Sequence, residues 1–60
     1  MFRINEVLKL GDSRFRVLLL LGEYLVWIDV DDDSAFPELA AMAELIDAIE
    51  QETLHRISDP

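Results

Sequence analysis

The sequence predicts a small α+β domain, with a three-stranded antiparallel meander, then one helix, then a short final strand. Two observations support this fold class. In the first half, three segments rich in large apolar residues are separated by two glycine-containing turns. In the second half, apolar residues recur three and four positions apart, as on one face of a helix, and a short alternating segment follows. The predicted order is β-β-β-α-β in a single domain over residues 1–60.

Residues 3–10 are predicted to form the first strand. Its polarity is mixed, because Glu6 and Lys9 interrupt the apolar residues, and this mixture is typical of an edge strand. Residues 11–13 begin with glycine and form a turn short enough for a hairpin, in which Gly11 supplies a positive φ.

Residues 15–30 are predicted to form the second and third strands, joined by Gly22 and Glu23 in a two-residue turn. Glycine in the first central position favours type II′. Both faces of these strands are apolar, whereas an antiparallel strand with one solvated face is usually polar on that side. One helix covers only one face of a sheet. The other face is therefore expected to contact a neighbour.

The helix is expected to cover the face that carries Phe15, Val17, Tyr24, Val26 and Ile28. The opposite face then carries Leu18, Leu20, Leu25 and Trp27, which we predict to form a protein interface. Apolar surface of several hundred Å² usually marks a contact site. The expected partners are a second copy of the chain, which would give a homodimer, or another segment of the same protein. Trp27 lies among apolar neighbours in an acidic chain, which favours a place in the core or interface over stacking on a base.

Residues 31–34 are predicted to end the third strand and to cap the helix, because Asp and Ser are favourable N-cap residues. Pro37 is tolerated only in the first helical turn, so the helix is expected to begin near Ser34 and to continue through residues 38–52. Its apolar stripe is Leu39, Met42, Ile46 and Ile49. Residues 53–57 are predicted to form the final strand, and Pro60 is expected to begin a linker.

Composition argues against several classes of function. With 13 acidic and 5 basic residues, the net charge is −8, which disfavours direct binding of nucleic acid. The chain contains no cysteine and therefore has neither a disulfide nor a thiolate metal site. The longest apolar run, residues 17–21, is far too short to span a bilayer, and no secretory signal is present. We therefore expect a cytoplasmic protein without a membrane partner.

The chain offers no convincing catalytic, cofactor or metal site. The acidic cluster of Asp29 and residues 31–33 lacks the glycine and the distal glutamate of a calcium loop, so capping and solvation explain it better. His55 is the sole histidine, and no nucleophile–histidine–acid set can be assembled around it. We therefore predict no catalytic residues, no cofactor and no bound metal.

Several segments, in order along the chain, resemble TnsB-type transposases. Residues 1–7 (MFRINEV) resemble the family's opening, which is Met, an aromatic, a polar residue and then Ile-Asn-Glu-Val. Residues 14–18 (RFRVL) and 25–28 (LVWI) are similar to two of its strands. A helix that begins with proline follows, and residues 54–60 (LHRISDP) resemble the family's Leu-x-Arg-x-x-Asp-Pro.

The resemblance implies that the chain is the N-terminal module of a larger bacterial DDE transposase with a retroviral-integrase-like core. Such proteins of mobile elements bind transposon ends, cut their 3′ ends and join them to target DNA with divalent metal, a DNA recombination and integration reaction. The resemblance places those activities in downstream domains and implies a structural or protein-interaction role here, with other domains or copies of the transposase as partners. The alternative is a free-standing acidic interaction protein that binds a basic partner or mimics DNA.

Overall fold

Five strands form one antiparallel sheet in the order β4-β3-β2-β1-β5, and a single helix connects β4 to β5. The elements are β1 (Val7–Leu10), β2 (Ser13–Leu21), β3 (Tyr24–Asp29), β4 (Glu38–Ala41), α1 (Met42–Glu50) and β5 (Leu54–Ser58). The computed structural model describes residues 1–58, so the linker predicted at Pro60 lies outside the described residues. The α+β class is confirmed, but the sheet has one strand more than predicted.

Both predicted hairpin turns are present. Leu10 pairs with Ser13 across Gly11 and Asp12, and Leu21 pairs with Tyr24 across Gly22 and Glu23. Gly11 has φ +60° and Gly22 has φ +61°. Glu23 does not have a positive φ, so only the first central residue of the β2–β3 turn lies in the left-handed region, as type II′ requires. The two turns hold β1, β2 and β3 in the predicted meander.

A β-bulge at Leu18 interrupts the pairing of β2 with β3. Val17 lies opposite Trp27, whereas Leu19 lies opposite Val26, so Leu18 is the extra residue. One additional residue reverses the face to which every later side chain of the strand points. Phe15 and Val17 therefore lie on the face of the sheet opposite to Leu19 and Leu21.

The hydrophobic core lies between α1 and one face of the sheet, which we call the inner face. Seven apolar residues are buried there: Phe2, Leu8, Val17, Leu25, Trp27, Leu45 and Leu54. The rings of Phe15 and Trp27 stack with their centroids 4.4 Å apart. From the helix, Leu45 is buried, and Met42, Ile46 and Ile49 pack against the same cluster. Burial of this face against one helix is the main source of stability in a domain with no cysteine.

The predicted assignment of the two faces was wrong for β3. Leu25 is 0% exposed and Trp27 is 7% exposed, so both belong to the core rather than to an outward interface. Phe15 and Val17 do face the helix, as predicted, but they share that face with Leu25 and Trp27 instead of Tyr24, Val26 and Ile28. The cause is the bulge, because uninterrupted alternation from the Gly22 turn would have placed Val17 opposite Ile28.

The predicted helix is shorter at its beginning than expected, because Glu38–Ala41 forms β4. These four residues pair with β3, with Trp27 opposite Glu38 and Tyr24 opposite Ala41. Hydrogen bonding to the open edge of β3 outweighs the helix propensity of Glu, Leu and Ala, which amounts to only a few tenths of a kcal/mol per residue. Pro37 lies in the loop before β4, and Leu39 is a strand residue rather than part of the helical stripe.

At both ends of α1, the free backbone groups are hydrogen-bonded by other backbone groups, and no Asp or Ser side chain caps the helix as predicted. Ala41 is the N-cap residue and makes no side-chain hydrogen bond, while the Met42 N–H donates to the Glu23 carbonyl in the β2–β3 turn at 2.9 Å. At the other end, the Glu52 N–H donates to the Ile49 carbonyl and the Thr53 N–H donates to the Ala48 carbonyl. This is a Schellman motif in which Glu52, with φ +62°, occupies the position that usually holds glycine.

β1 begins at Val7, four residues later than predicted, because residues 3–6 form a turn. The Glu6 N–H donates to the Arg3 carbonyl, and Asn5 has φ +73°. The turn packs on the bulge, where the Asn5 N–H donates to the Val17 carbonyl and the Val17 N–H donates to the Glu6 carbonyl. β1 is also not an edge strand, since β5 pairs along its other side. The final strand beside the meander was correctly predicted.

Candidate functional site

The outer face of the sheet, opposite α1, carries an exposed apolar patch. The register of the sheet places Leu19, Val26 and Leu39 side by side on β2, β3 and β4, and places Leu21, Tyr24 and Ala41 in the next row. We call these six residues the outer apolar patch. Leu19, Leu21, Tyr24 and Leu39 are between 47% and 62% exposed. Clustered exposure of large apolar side chains on one face is typical of a contact surface.

Four basic side chains lie on the outer face beyond the outer apolar patch. Lys9 lies opposite Arg14 on β2 and opposite His55 on β5, and Arg16 lies opposite Ile28 nearer the patch. We call Lys9, Arg14, Arg16 and His55 the outer basic patch. No Asp or Glu among residues 1–58 occupies an outer-face position on a strand, although the chain has a net charge of −8. The outer face of the sheet therefore carries cationic side chains and no carboxylate from a strand.

One carboxylate reaches the outer basic patch from a loop. Asp31 accepts hydrogen bonds from the backbone N–H of Arg14 at 3.0 Å and from its guanidinium at 3.2 and 2.7 Å. The hydrogen bond from Arg14 lowers the pKa of Asp31 below its ordinary value, and the same contact raises the pKa of Arg14. The side chains of Lys9 and Arg16 make no hydrogen bond or ion pair with another described residue, although the charge of Lys9 also helps to lower the pKa of Asp31. They remain available to a partner.

A second ion pair lies on the opposite side of the sheet and is structural. The Glu6 carboxylate is almost fully buried and accepts hydrogen bonds from the Arg3 N–H at 3.0 Å and from Arg56 Nη1 at 2.8 Å. Arg56 also donates to the Met1 carbonyl, and its guanidinium lies 4.9 Å from the centre of the Phe2 ring. These contacts hold the N-terminal residues over β5. They also join residues 1–6 to Arg56, which lie in the first and last segments of the resemblance described above.

The comparison with protein families agrees with this geometry. The family model described as the TnsB N-terminal SH3-like domain matches residues 1–60. The chain belongs to this family. It is an N-terminal domain of a TnsB-type transposase, and its five antiparallel strands with one helix are consistent with an SH3-like fold. A search of curated proteins found no significant match.

The acidic cluster of this TnsB N-terminal domain orders a loop. The Asp29 carboxylate accepts the Asp31 N–H and the Asp32 carboxylate accepts the Ser34 N–H, both at 2.9 Å, which are side-chain turns typical of aspartate. Beside the loop lies an open depression of about 270 Å³, lined by Phe15, Phe36, Asp29, Asp32 and Glu38 among others. Among residues 1–58, no group of three His, Cys, Asp or Glu side chains could hold a metal ion.

The four residues predicted as the interface of the TnsB N-terminal domain are not brought together on one exposed face. Leu25 and Trp27 are buried, Leu18 is the half-buried bulge residue, and Leu20 lies opposite Leu25 at the margin of the inner face. The exposed apolar surface instead contains Leu19 and Leu21. Leu39 joined this surface because it is a strand residue, and no periodicity in the sequence signals the bulge that reverses the faces.

The nine-residue helix, the one helix among the described residues, falls short of the length needed to cross a membrane.

Proposed function

We propose that this domain is the N-terminal structural and protein-interaction module of a TnsB-type transposase that acts in DNA transposition. Transposon end binding, 3′ end cleavage and strand transfer are carried by domains downstream of it, so that residues 1–60 form one module of a larger protein. The observation that supports the role is the outer apolar patch, an exposed surface on a domain from a transposase family. Its partners are other domains or copies of the transposase.

The first test uses the full-length transposase with the substitutions Leu21→Ser and Tyr24→Ser, placed in the outer apolar patch. Both side chains are exposed, so we expect the domain to remain folded while recombination by the assembled protein falls. Ile57→Ser, at an exposed apolar residue on β5 and outside the patch, is the matched control. Unchanged recombination by the double variant at equal protein levels would contradict the proposal.

Assays of the isolated domain test whether it acts on DNA directly or serves only as an interaction module. We expect no cleavage or strand transfer with Mg²⁺ or Mn²⁺, and no measurable binding of duplex DNA at physiological salt, because Lys9, Arg14 and Arg16 neutralise few phosphates on a chain of net charge −8. Nuclease assays and a fluorescence titration with transposon-end DNA measure both. Tight, sequence-dependent binding would show that the module is itself part of the end-binding apparatus.

A second candidate function is a free-standing acidic protein that binds a basic partner or mimics DNA. The depression beside the acidic loop favours it, since three carboxylates and the exposed ring of Phe36 surround a space that suits a cationic side chain. The reading frame beyond Pro60 discriminates the two candidates. A continuation of several hundred residues supports the transposase module, and a stop codon supports the free-standing protein.

A further inference from the structure

Along β2, the outer face is basic at one end and apolar at the other. From one end of this strand to the other, its outer-face residues are Arg14, Arg16, Leu19 and Leu21. Neighbouring strands extend each half sideways, with Lys9 and His55 beside Arg14 and with Val26 and Leu39 beside Leu19. A partner that covers the whole face must therefore present negative charge at one end and apolar side chains at the other.

We propose that the outer face binds an acidic amphipathic helix of a protein partner, aligned with β2. This inference rests on the proposed role as an interaction module and adds the chemistry of the partner. The carboxylates of the helix lie over the outer basic patch, and its apolar residues lie over the outer apolar patch. A helix on an open sheet face is the usual way to complete a layered α/β arrangement. Here it adds a second helical layer, opposite α1.

The size of the helix follows from the strand. Arg14 and Leu21 are seven residues apart, which corresponds to about 23 Å of extended strand. An α-helix rises about 1.5 Å per residue, so about 15 residues span the same distance. Such a helix needs carboxylates in one half, near Lys9 and Arg16, and leucine-like residues in the other. The expected partner is therefore a four-turn helix with its charge confined to one end.

The composition of the face distinguishes a protein helix from the other polyanions. DNA carries one negative charge per about 1.7 Å of its axis and presents no apolar surface to Leu19, Leu21 or Leu39. Arg14 is already paired with Asp31, which leaves few cations for phosphates. An anionic membrane would meet a domain of net charge −8, whose acidic loop and helix oppose approach to the lipid surface. A short helix with three or four carboxylates meets the least of this repulsion.

The test titrates the isotopically labelled domain with a synthetic 16-residue helical peptide that carries four glutamates in one half and four leucines in the other. We expect NMR shift changes at Arg16, Leu19, Leu21 and Leu39, and not on α1. A second peptide with lysines in place of the glutamates should bind at least about fivefold more weakly. Absence of binding at millimolar peptide, equal binding of the two peptides, or shifts confined to α1 or the acidic loop would overturn the proposal.

Matched variants separate the outer face from net charge. Arg16→Gln and Gln51→Glu each lower the net charge of the domain by one, but only Arg16 lies on the outer face. We expect the first substitution to weaken binding of the glutamate peptide about twofold to fivefold and the second to have little effect. Equal effects of the two would contradict a local contact. Thermal melting by circular dichroism confirms that both variants are folded.

Parallel titrations of the domain with duplex DNA and with vesicles that contain anionic phospholipid test the two other possible ligands of the outer face. Binding of either to the outer face more tightly than the glutamate peptide would overturn the proposed partner. A dimer in sedimentation equilibrium that dissociates on Leu21→Ser would do the same, because the patch would then be occupied by a second copy. If the peptide fails although Leu21→Ser impairs the full-length transposase, the interaction role stands and only the partner chemistry is wrong.

Discussion

The inner and outer faces of the sheet are built from the same kinds of residue but serve different purposes. Leu25 on the inner face is completely buried, whereas Leu21, four positions earlier in the sequence, is half exposed. Each face also has an arginine–carboxylate pair, with a buried carboxylate in Glu6 and an exposed one in Asp31. The comparison shows that residue type alone does not separate core from contact surface in a domain this small. The alternation of side chains along each strand decides which of them face α1 and are buried.

The largest expected effect comes from truncating equivalent leucines on the two faces. Leu25→Ala removes buried methyl groups and leaves a cavity, which costs about 2–5 kcal/mol. A domain of this size has a total stability of about 3–5 kcal/mol, so we expect this variant to be largely unfolded. Leu21→Ala should change stability by less than about 0.5 kcal/mol. Urea denaturation followed by Trp27 fluorescence measures both, and equal losses would show that the outer patch is part of the core.

The next largest difference in stability is expected between substitutions of Arg56 on the inner face and Arg16 on the outer face. Arg56→Ala removes the guanidinium that donates to the buried Glu6 carboxylate, and we expect the free energy of unfolding to fall by about 1–3 kcal/mol. Arg16→Ala, at an exposed position on the outer face, should cost less than about 0.5 kcal/mol. Chemical denaturation compares them. A loss on Arg56→Ala no greater than on Arg16→Ala would mean that Glu6 is accessible to water.

A stabilising substitution tests the helix that covers the inner face. Glu52 adopts a left-handed conformation at the end of α1, and glycine adopts it without strain. Glu52→Gly also removes a negative charge near the helix C-terminus, where it opposes the helix dipole. We expect a gain of about 0.5–1 kcal/mol, seen as a higher melting temperature. As a control, Glu50→Gly, inside the helix, should instead destabilise the domain.

The smallest effect concerns the exposed Arg14–Asp31 pair. The lowered pKa of Asp31 means that its charged form stabilises the folded state above the ordinary aspartate pKa of about 4. This contribution is lost as the pH falls through the lower pKa of the folded state. Asp31→Asn should therefore reduce stability slightly at pH 7 and less at pH 2, and salt should shrink the difference. Asp33→Asn is the control for charge, and an equal pH dependence in both variants would contradict the pairing.

Local signals in the sequence were sufficient for most of the fold. Gly11 and Gly22 predicted both hairpin turns, and the spacing of Met42, Ile46 and Ile49 predicted a helix in the correct region. These features depend on a few neighbouring residues. The short final strand was predicted for the same reason, because alternation in residues 53–57 requires no information about distant parts of the chain.

The features that sequence reasoning missed depend on contacts between distant segments. β4 forms because the edge of β3 needs a hydrogen-bonding partner, although Glu38–Ala41 has a composition suited to a helix. The bulge at Leu18 forms where the turn of residues 3–6 bonds to Val17. Since the bulge reverses the faces of β2, an apolar patch was correctly expected on one face of the sheet but was assigned to Leu18, Leu20, Leu25 and Trp27. Its exposed members in this structure include Leu19 and Leu21.

The contact between Glu6 and Arg56 also bears on the kinetics of folding. The two residues are 50 positions apart, so their contact closes nearly the whole chain, whereas the β2–β3 hairpin closes through a two-residue turn. Contacts with large sequence separation require more loop-closure entropy and tend to form after local ones. We therefore expect Arg56→Ala to raise the unfolding rate and to leave the folding rate nearly unchanged in stopped-flow experiments. The ends of the chain would then determine how long the domain stays folded, while the central hairpin determines how fast it folds.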